Sequence, residues 1–124
     1  MATGGDEVAI RRDLYHQQFC ADVPAGQAAL MGATQRPATL AALSEELPAE
    51  TPGWKQAPSW FVYGELDRNI PAELVRFEAE RAGAKAAHEV TGGSHAISVS
   101  SPDVVAETIL EAVTAVSLDA AAAA

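Results

Sequence analysis

Pro58-Ser59-Trp60-Phe61-Val62-Tyr63-Gly64-Glu65-Leu66-Asp67-Arg68-Asn69-Ile70-Pro71 runs from a bulky apolar stretch through a glycine and a carboxylate to a proline. Trp60 to Tyr63 is a continuous bulky run with no polar interruption, which is how a strand covered on both faces reads. Gly64 ends it, so a strand is expected over residues 59–63. A carboxylate, Asp67, follows just past the strand, and Pro71 opens a helix carrying Leu74, Val75 and Phe77. Proline suits a helix's first turn, and Gly83 is placed to close this one with a left-handed cap.

Downstream, Ala84 to Val90 reads as a second, weaker strand broken by Gly92-Gly93. A last helix is expected from Ser101 as cap, Pro102 in the first turn and Asp103 favourable to the helix dipole. Its Val105, Ile109, Val113 and Val116 recur at helical spacing and predict one apolar stripe facing a sheet. The run Ala120 to Ala124 offers no partner-specific side chain, and residues 118–124 are expected to form a disordered tail. Strand, helix, strand implies two adjacent parallel strands joined by a right-handed crossover. A pair of strands does not make a stable sheet, so an unpaired apolar edge is expected, with self-association through it.

Upstream, Leu14, Tyr15, Phe19, Val23, Leu30, Met31, Leu40, Leu43 and Leu47 stand at helical spacings. Asp22 is placed to cap a helix whose first turn holds Pro24, and Arg36-Pro37 interrupts it because the residue before proline is pushed out of the α region. Helices are expected over 23–35 and 38–46. Pro48 to Pro58, with Gly53, reads as a loop, and residues 1–12 as a flexible segment or short strand.

The chain has 124 residues, 48% of them hydrophobic but only 6% aromatic, so alanine supplies much of the apolar count and the core is modest. Eight Lys and Arg against 17 Asp and Glu leave a net charge of −9, a surface that repels nucleic acid and anionic membranes. Neither is an expected partner. Cys20 has no second cysteine to pair with and reads as an idle thiol. No signal-peptide or membrane-spanning run occurs, so a cytoplasmic protein is expected.

In open α/β sheets ligands bind beyond the carboxyl ends of the strands, which is where Asp67 and His95 fall. On neighbouring strands their loops emerge side by side. A carboxylate there can accept the imidazole N–H, fix the tautomer and stabilise the imidazolium formed on proton uptake. Taken singly, Asp67 also reads as a turn residue preparing the helix at Pro71, and His95 as a loop histidine bonded to backbone. His16 falls in the helical stretch and His88 within a strand pattern. Trp60 reads as core, and Glu65 as a solvated loop carboxylate.

Pro58 to Pro71 resembles the segment of α/β-hydrolases in which the triad acid follows the penultimate strand. Gly93-Ser94-His95, followed by Ser101-Pro102 and the closing helix, resembles that family's histidine loop. Tyr15-His16-Gln17-Gln18-Phe19, Asp22-Val23-Pro24 and Thr34-Gln35-Arg36-Pro37 are similar to the cap region of bacterial esterase-like members. The resemblance covers roughly residues 8 to 117. It implies an α/β fold class: the C-terminal part of an α/β-hydrolase fold, its last two parallel strands with flanking helices, preceded by a helical cap segment. The implied division is an N-terminal segment 1–12, a helical cap or lid with linker 13–57, the hydrolase core's closing strand-helix-strand-helix 58–117, and the tail 118–124.

The resemblance further implies hydrolysis of an ester or acyl bond in a small molecule by a Ser-Asp-His triad. Asp67 would orient His95, and His95 would act as base and then acid. No metal and no organic cofactor is implied. Cap residues 13–47 would wall the pocket around a small apolar acyl or alcohol group. Family triads run nucleophile, acid, histidine along the chain, yet no Gly-x-Ser-x-Gly precedes Asp67, and the oxyanion-hole loop is absent from these residues too. The expectation is a truncated form that is inactive alone. Gly92-Gly93-Ser94-His95-Ala96 imitates a nucleophile elbow, but no histidine follows to serve as its base, so Ser94 reads as an ordinary loop serine. Competing readings are a non-enzymatic interaction module or gene remnant, and a nucleotide-binding unit, which lacks a phosphate-cradling glycine loop.

Overall fold

The computed structural model describes residues 5–47 and 49–122. Near the N-terminus, β1 (Glu7–Val8) is followed by two helices, α1 (Arg12–Phe19) and α2 (Ala25–Thr34), and by β2 (Ala38–Thr39), which pairs antiparallel with β1. The spacing that starts at Leu14 thus resolves into a helix of its own. α2 is shorter than the expected 23–35, and its N-cap is Pro24, with no side-chain bond. Asp22 does not cap it because its carboxylate is taken by Ser94 and Ser100. The proline step ends the helix as expected, with Gln35 extended at ψ 143°. The helix expected over 38–46 contracts to α3 (Leu40–Ser44). Ala38 and Thr39 are drawn into the ribbon, and Thr39 Oγ1 caps α3 by accepting the Ala42 N–H at 3.3 Å.

The helices α1 and α2 approach closely at Gly32, where a Cβ would stand 3.1 Å from the Tyr15 ring. Tyr15, Cys20, Val23 and Ala28 form a buried cluster, joined by Ala96 from the far end of the chain, with Ile10, Phe19 and Met31 packed around it. Gln35 fastens this unit to the ribbon by bonding both the N–H and the carbonyl of Ile10, at 3.0 and 2.7 Å. Cys20 is a free, wholly buried thiol; burial first, and the charge of Asp22 second, push its pKa up.

The proline-rich connection holds a 3₁₀ turn at Gly53–Lys55. Its Trp54 ring takes the Arg81 guanidinium at 4.7 Å and Lys55 Nζ at 5.3 Å. β3 (Trp60–Gly64), α4 (Ala72–Ala82) and β4 (Ala86–Val90) then form the expected parallel unit, paired from Trp60 with Ala86 to Gly64 with Val90. Gly83 closes α4 with φ 61°, the left-handed conformation that glycine adopts at little cost. A short helix, α5 (Ile97–Ser100), precedes α6 (Pro102–Ala122). Successive strand residues point to opposite faces, and in β4 Glu89 meets Arg76 of α4 while His88 meets Glu111 of α6. The two helices therefore cover opposite faces of the strand pair.

Coverage departs from expectation in three places. Within β3 only Tyr63 and Gly64 are buried, Trp60 to Val62 being half-buried, because its second edge is unpaired among the described residues. The predicted stripe of α6 faces outward: Val105 is half-buried, but Ile109, Val113 and Val116 are exposed. The line turned inward is Val104, Thr108, Ala112 and Ala115, about 100° around the helix. Val62, the register partner of His88, and by alternation Trp60 already fill that face with bulk, which leaves room for small side chains. Finally, α6 runs on through residues 118–122, where a disordered tail was expected, since alanine is the strongest helix former. Met1 to Gly4, Pro48, Ala123 and Ala124 lie outside the described residues. Among the described residues no helix is long and apolar enough to cross a membrane.

Candidate active site

Parallel pairing of β3 and β4 brings both carboxyl ends to one side, and the loops that follow are bonded to each other. Glu65 N–H donates to Val90 O at 3.0 Å, and Leu66 N–H donates to Gly93 O at 2.8 Å. Gly92, at φ 70°, donates its N–H to Glu65 Oε2 at 2.8 Å. Glu65 is an exposed carboxylate, as expected, and it also ties the two loops together. Glycine is required at position 64 by close approach: a Cβ there would lie 2.6 Å from the carbonyl carbon of Gly93 and against the Gly93 and Ser94 oxygens.

On this base the structure brings Asp67 and His95 together, with Asp67 Oδ2 2.7 Å from His95 Nδ1. The other carboxylate oxygen, Oδ1, accepts the backbone N–H of Asn69 at 2.7 Å and of Ile70 at 3.0 Å. Burial, which leaves the Asp67 side chain 7% exposed, would raise its pKa. Those two N–H groups and the His95 imidazole outweigh it and hold the carboxyl below its ordinary value. Asp67 is thus ionised at neutral pH and can only accept, so the His95 Nδ1 that faces it carries a proton. Nε2 is the nitrogen left for chemistry, on a side chain 29% exposed.

The imidazole rests on the Phe19 ring, with centroids 4.8 Å apart and planes at 59°. A cleft of about 250 Å³, lined in part by Val62, Ile70, Val75 and Ile97, opens beside Asp67 and His95. Phe19 also lines a second, larger crevice of about 540 Å³, walled with it by Val8, Ile10, Tyr15, Arg36 and Leu43.

Ser94, read in the sequence as an ordinary loop serine and not as a nucleophile, is held inside the fold. It is 2% exposed; its N–H donates to Asp22 Oδ2 at 3.0 Å, its hydroxyl donates to Asp22 Oδ1, and its Oγ accepts the Ala96 N–H at 3.2 Å. A hydroxyl so engaged is structural. His16 donates Nε2–H to Val23 O at 2.8 Å, and His88 faces Glu111 at the surface, so neither joins the site. Among the described residues no group of three or more His, Cys, Asp or Glu side chains is arranged to hold a metal ion. Sequence reading missed Phe19, Asp22 and Ser94, whose contacts join the first quarter of the chain to the last; only a fold can reveal them.

A strand, an acid turn, a crossover helix, a second strand and a histidine loop, with acid and histidine in hydrogen-bond contact, define the closing part of an α/β-hydrolase fold. The family described as "Alpha/beta hydrolase family" matches residues 2–108, and the chain belongs to it. Among solved structures, that of polyneuridine aldehyde esterase superposes with a TM-score of 0.70 at 18% identity, over 86% of this chain and 43% of that one. The likeness is one of fold, and the chain spans less than half the length of that esterase. No curated protein sequence matches the chain.

Proposed function

We propose that Asp67 and His95 are the acid and the general base of a Ser-Asp-His hydrolase, acting on a nucleophile that lies outside these 124 residues. The observation that carries this reading is the 2.7 Å contact between Asp67 Oδ2 and His95 Nδ1 at the carboxyl ends of two parallel strands. With Nδ1–H held by the carboxylate, Nε2 takes the proton of a serine hydroxyl as its oxygen attacks an ester or acyl carbon. Asp67 stabilises the resulting imidazolium, which returns the proton to the departing alcohol. Water repeats the sequence to release the acid.

In this reading residues 13–47 form the cap, and the crevice lined by Phe19 receives a small apolar acyl or alcohol group. Its lining of Val8, Ile10, Tyr15 and Leu43 supports that assignment. The chain by itself is inactive, and the deep engagement of Ser94 with Asp22 supports excluding it as a substitute nucleophile. A second reading, a non-enzymatic module completed by a partner, is favoured by the unpaired edge of β3 and the outward stripe of α6.

The test is hydrolysis of a p-nitrophenyl acyl ester by the purified chain. No turnover above the Ser94→Ala variant is expected. Turnover that Ser94→Ala abolishes would overturn the reading and make Ser94 the nucleophile.

A further inference from the structure

The segment Gln17 to Asp22 touches both loops of the proposed couple. On the acid side, Gln18 Nε2 donates to Arg68 O at 2.8 Å, Asn69 Nδ2 donates to Gln18 O at 3.1 Å, and Arg68 Nη1 donates to Gln17 O at 3.3 Å. On the histidine side, Phe19 packs on the imidazole. Asp22 accepts three hydrogen bonds from the turn that carries His95: the N–H and hydroxyl of Ser94, and the Ser100 hydroxyl at 2.7 Å. Ala96, the next residue after His95, is sealed into the Tyr15, Cys20, Val23 and Ala28 cluster.

We propose that Asp22 is a positioning residue: its carboxylate holds the Ser94–Ser100 turn, and through it the imidazole of His95, in register with Asp67. The inference rests on the reading of Asp67 and His95 as a catalytic couple. The Asp22 position is fixed by α1 and α2, so the seating of that helical unit and the alignment of the histidine are one equilibrium. Three bonds converge on one carboxylate, and hydrogen bonds to a charged acceptor are the strong ones, so the turn has a defined rest position and the ring cannot drift independently. Burial would raise the Asp22 carboxyl pKa; the hydroxyls of Ser94 and Ser100 and the backbone N–H groups outweigh it and keep the group below its ordinary value. The latch is therefore charged at neutral pH.

The experiment is nitrogen-15 NMR of the full 124-residue chain labelled at its three histidines, of which His95 reads the site and His88 the rest of the fold. In the unsubstituted chain His95 should show a single Nδ1–H tautomer and a slowly exchanging Nδ1 proton, because the nitrogen's bond to the carboxylate sets which nitrogen is protonated. Asp22→Ala should remove that proton signal and mix the tautomers while the signal of His88, paired with Glu111 away from the Asp22 segment, stays in place. Ser100→Ala, a milder change in case Asp22→Ala fails to fold, should speed Nδ1-proton exchange about tenfold, the factor for losing one hydrogen bond to a charged group. Asp67→Ala is the reference arm. If it abolishes the His95 signal while the folded Asp22→Ala or Ser100→Ala chain keeps it unchanged, the latch is wrong and the couple stands. If Asp67→Ala leaves the signal unchanged, the couple itself is wrong.

Discussion

Replacing Gly64 by alanine should unseat the site from below. The added methyl would lie 2.6 Å from the Gly93 carbonyl carbon and against the carbonyl oxygens of Gly93 and Ser94. These are backbone atoms that cannot swing aside as a side-chain tip would. Overpacking of a core costs about 1–3 kcal/mol even where neighbours adjust. Here relief requires moving Gly93, which breaks the 2.8 Å bond from Leu66 N–H to Gly93 O and costs about 1 kcal/mol more. A total of about 2–4 kcal/mol is a large share of the roughly 5–15 kcal/mol that holds a domain folded. Reversible urea unfolding followed by circular dichroism, at one protein concentration, measures it. Gly26→Ala is the control, because its Cβ would meet nothing within 4 Å and alanine is the better helix residue, so its midpoint should hold or rise. A Gly64→Ala midpoint within about 0.5 kcal/mol of the unsubstituted chain would refute the close-approach reasoning, since that is the scatter of ordinary surface changes.

Acidification should destabilise the chain, with a defined sign. Asp67 and Asp22 both have folded-state pKa values below their ordinary carboxyl values, so their stabilisation is fully present above the unfolded pKa of about 3.9 and is lost as the pH falls through the folded values. Urea midpoints measured from neutrality down to acid should fall steeply below about pH 4, and Asp67→Asn should flatten that fall; an unchanged slope would contradict the assignment. The chain should also self-associate. It exposes 8817 Å², where a compact monomer of 12.9 kDa exposes about 6,300 Å², an excess larger than the roughly 1,600 Å² of a standard interface. Size-exclusion chromatography should show dimers or larger species, shifted toward monomer by Val113→Glu on the outward stripe. A monomer with a sharp two-state melt above about 55 °C would contradict it.

The strand at Trp60 to Tyr63, the crossover helix with its glycine cap and the placement of Asp67 and His95 are legible in the sequence because each rests on local chemistry. A bulky run, a proline, a left-handed glycine and a residue just past a strand are signals carried within a few positions. The orientation of α6 is not legible this way. Val105, Ile109, Val113 and Val116 make a sound apolar stripe, but which face turns inward depends on what already fills the opposing strand, and Trp60 and Val62 select the smaller line through Thr108 and Ala112. Asp22 is similar: next to Pro24 it looks like a cap, and only the fold brings Ser94 and Ser100 to compete for it. Residues 38–46 also read well as a helix until β1 claims Ala38 and Thr39.

The roles of Asp67 and His95 are tested by ester hydrolysis when the chain is joined to a nucleophile-bearing hydrolase segment, a strand, Gly-x-Ser-x-Gly and helix preceding residue 1. The expected result is p-nitrophenyl ester turnover that requires that serine. His95→Ala should lower kcat by about 10⁶-fold, the order of loss on removing a triad histidine, and Asp67→Asn by about 10⁴-fold, the loss when the triad histidine is left in the wrong tautomer. An active joined protein that keeps its kcat in both variants, or a folded joined protein with no turnover at all, would contradict the assignment of Asp67 and His95 as the acid and base of the triad.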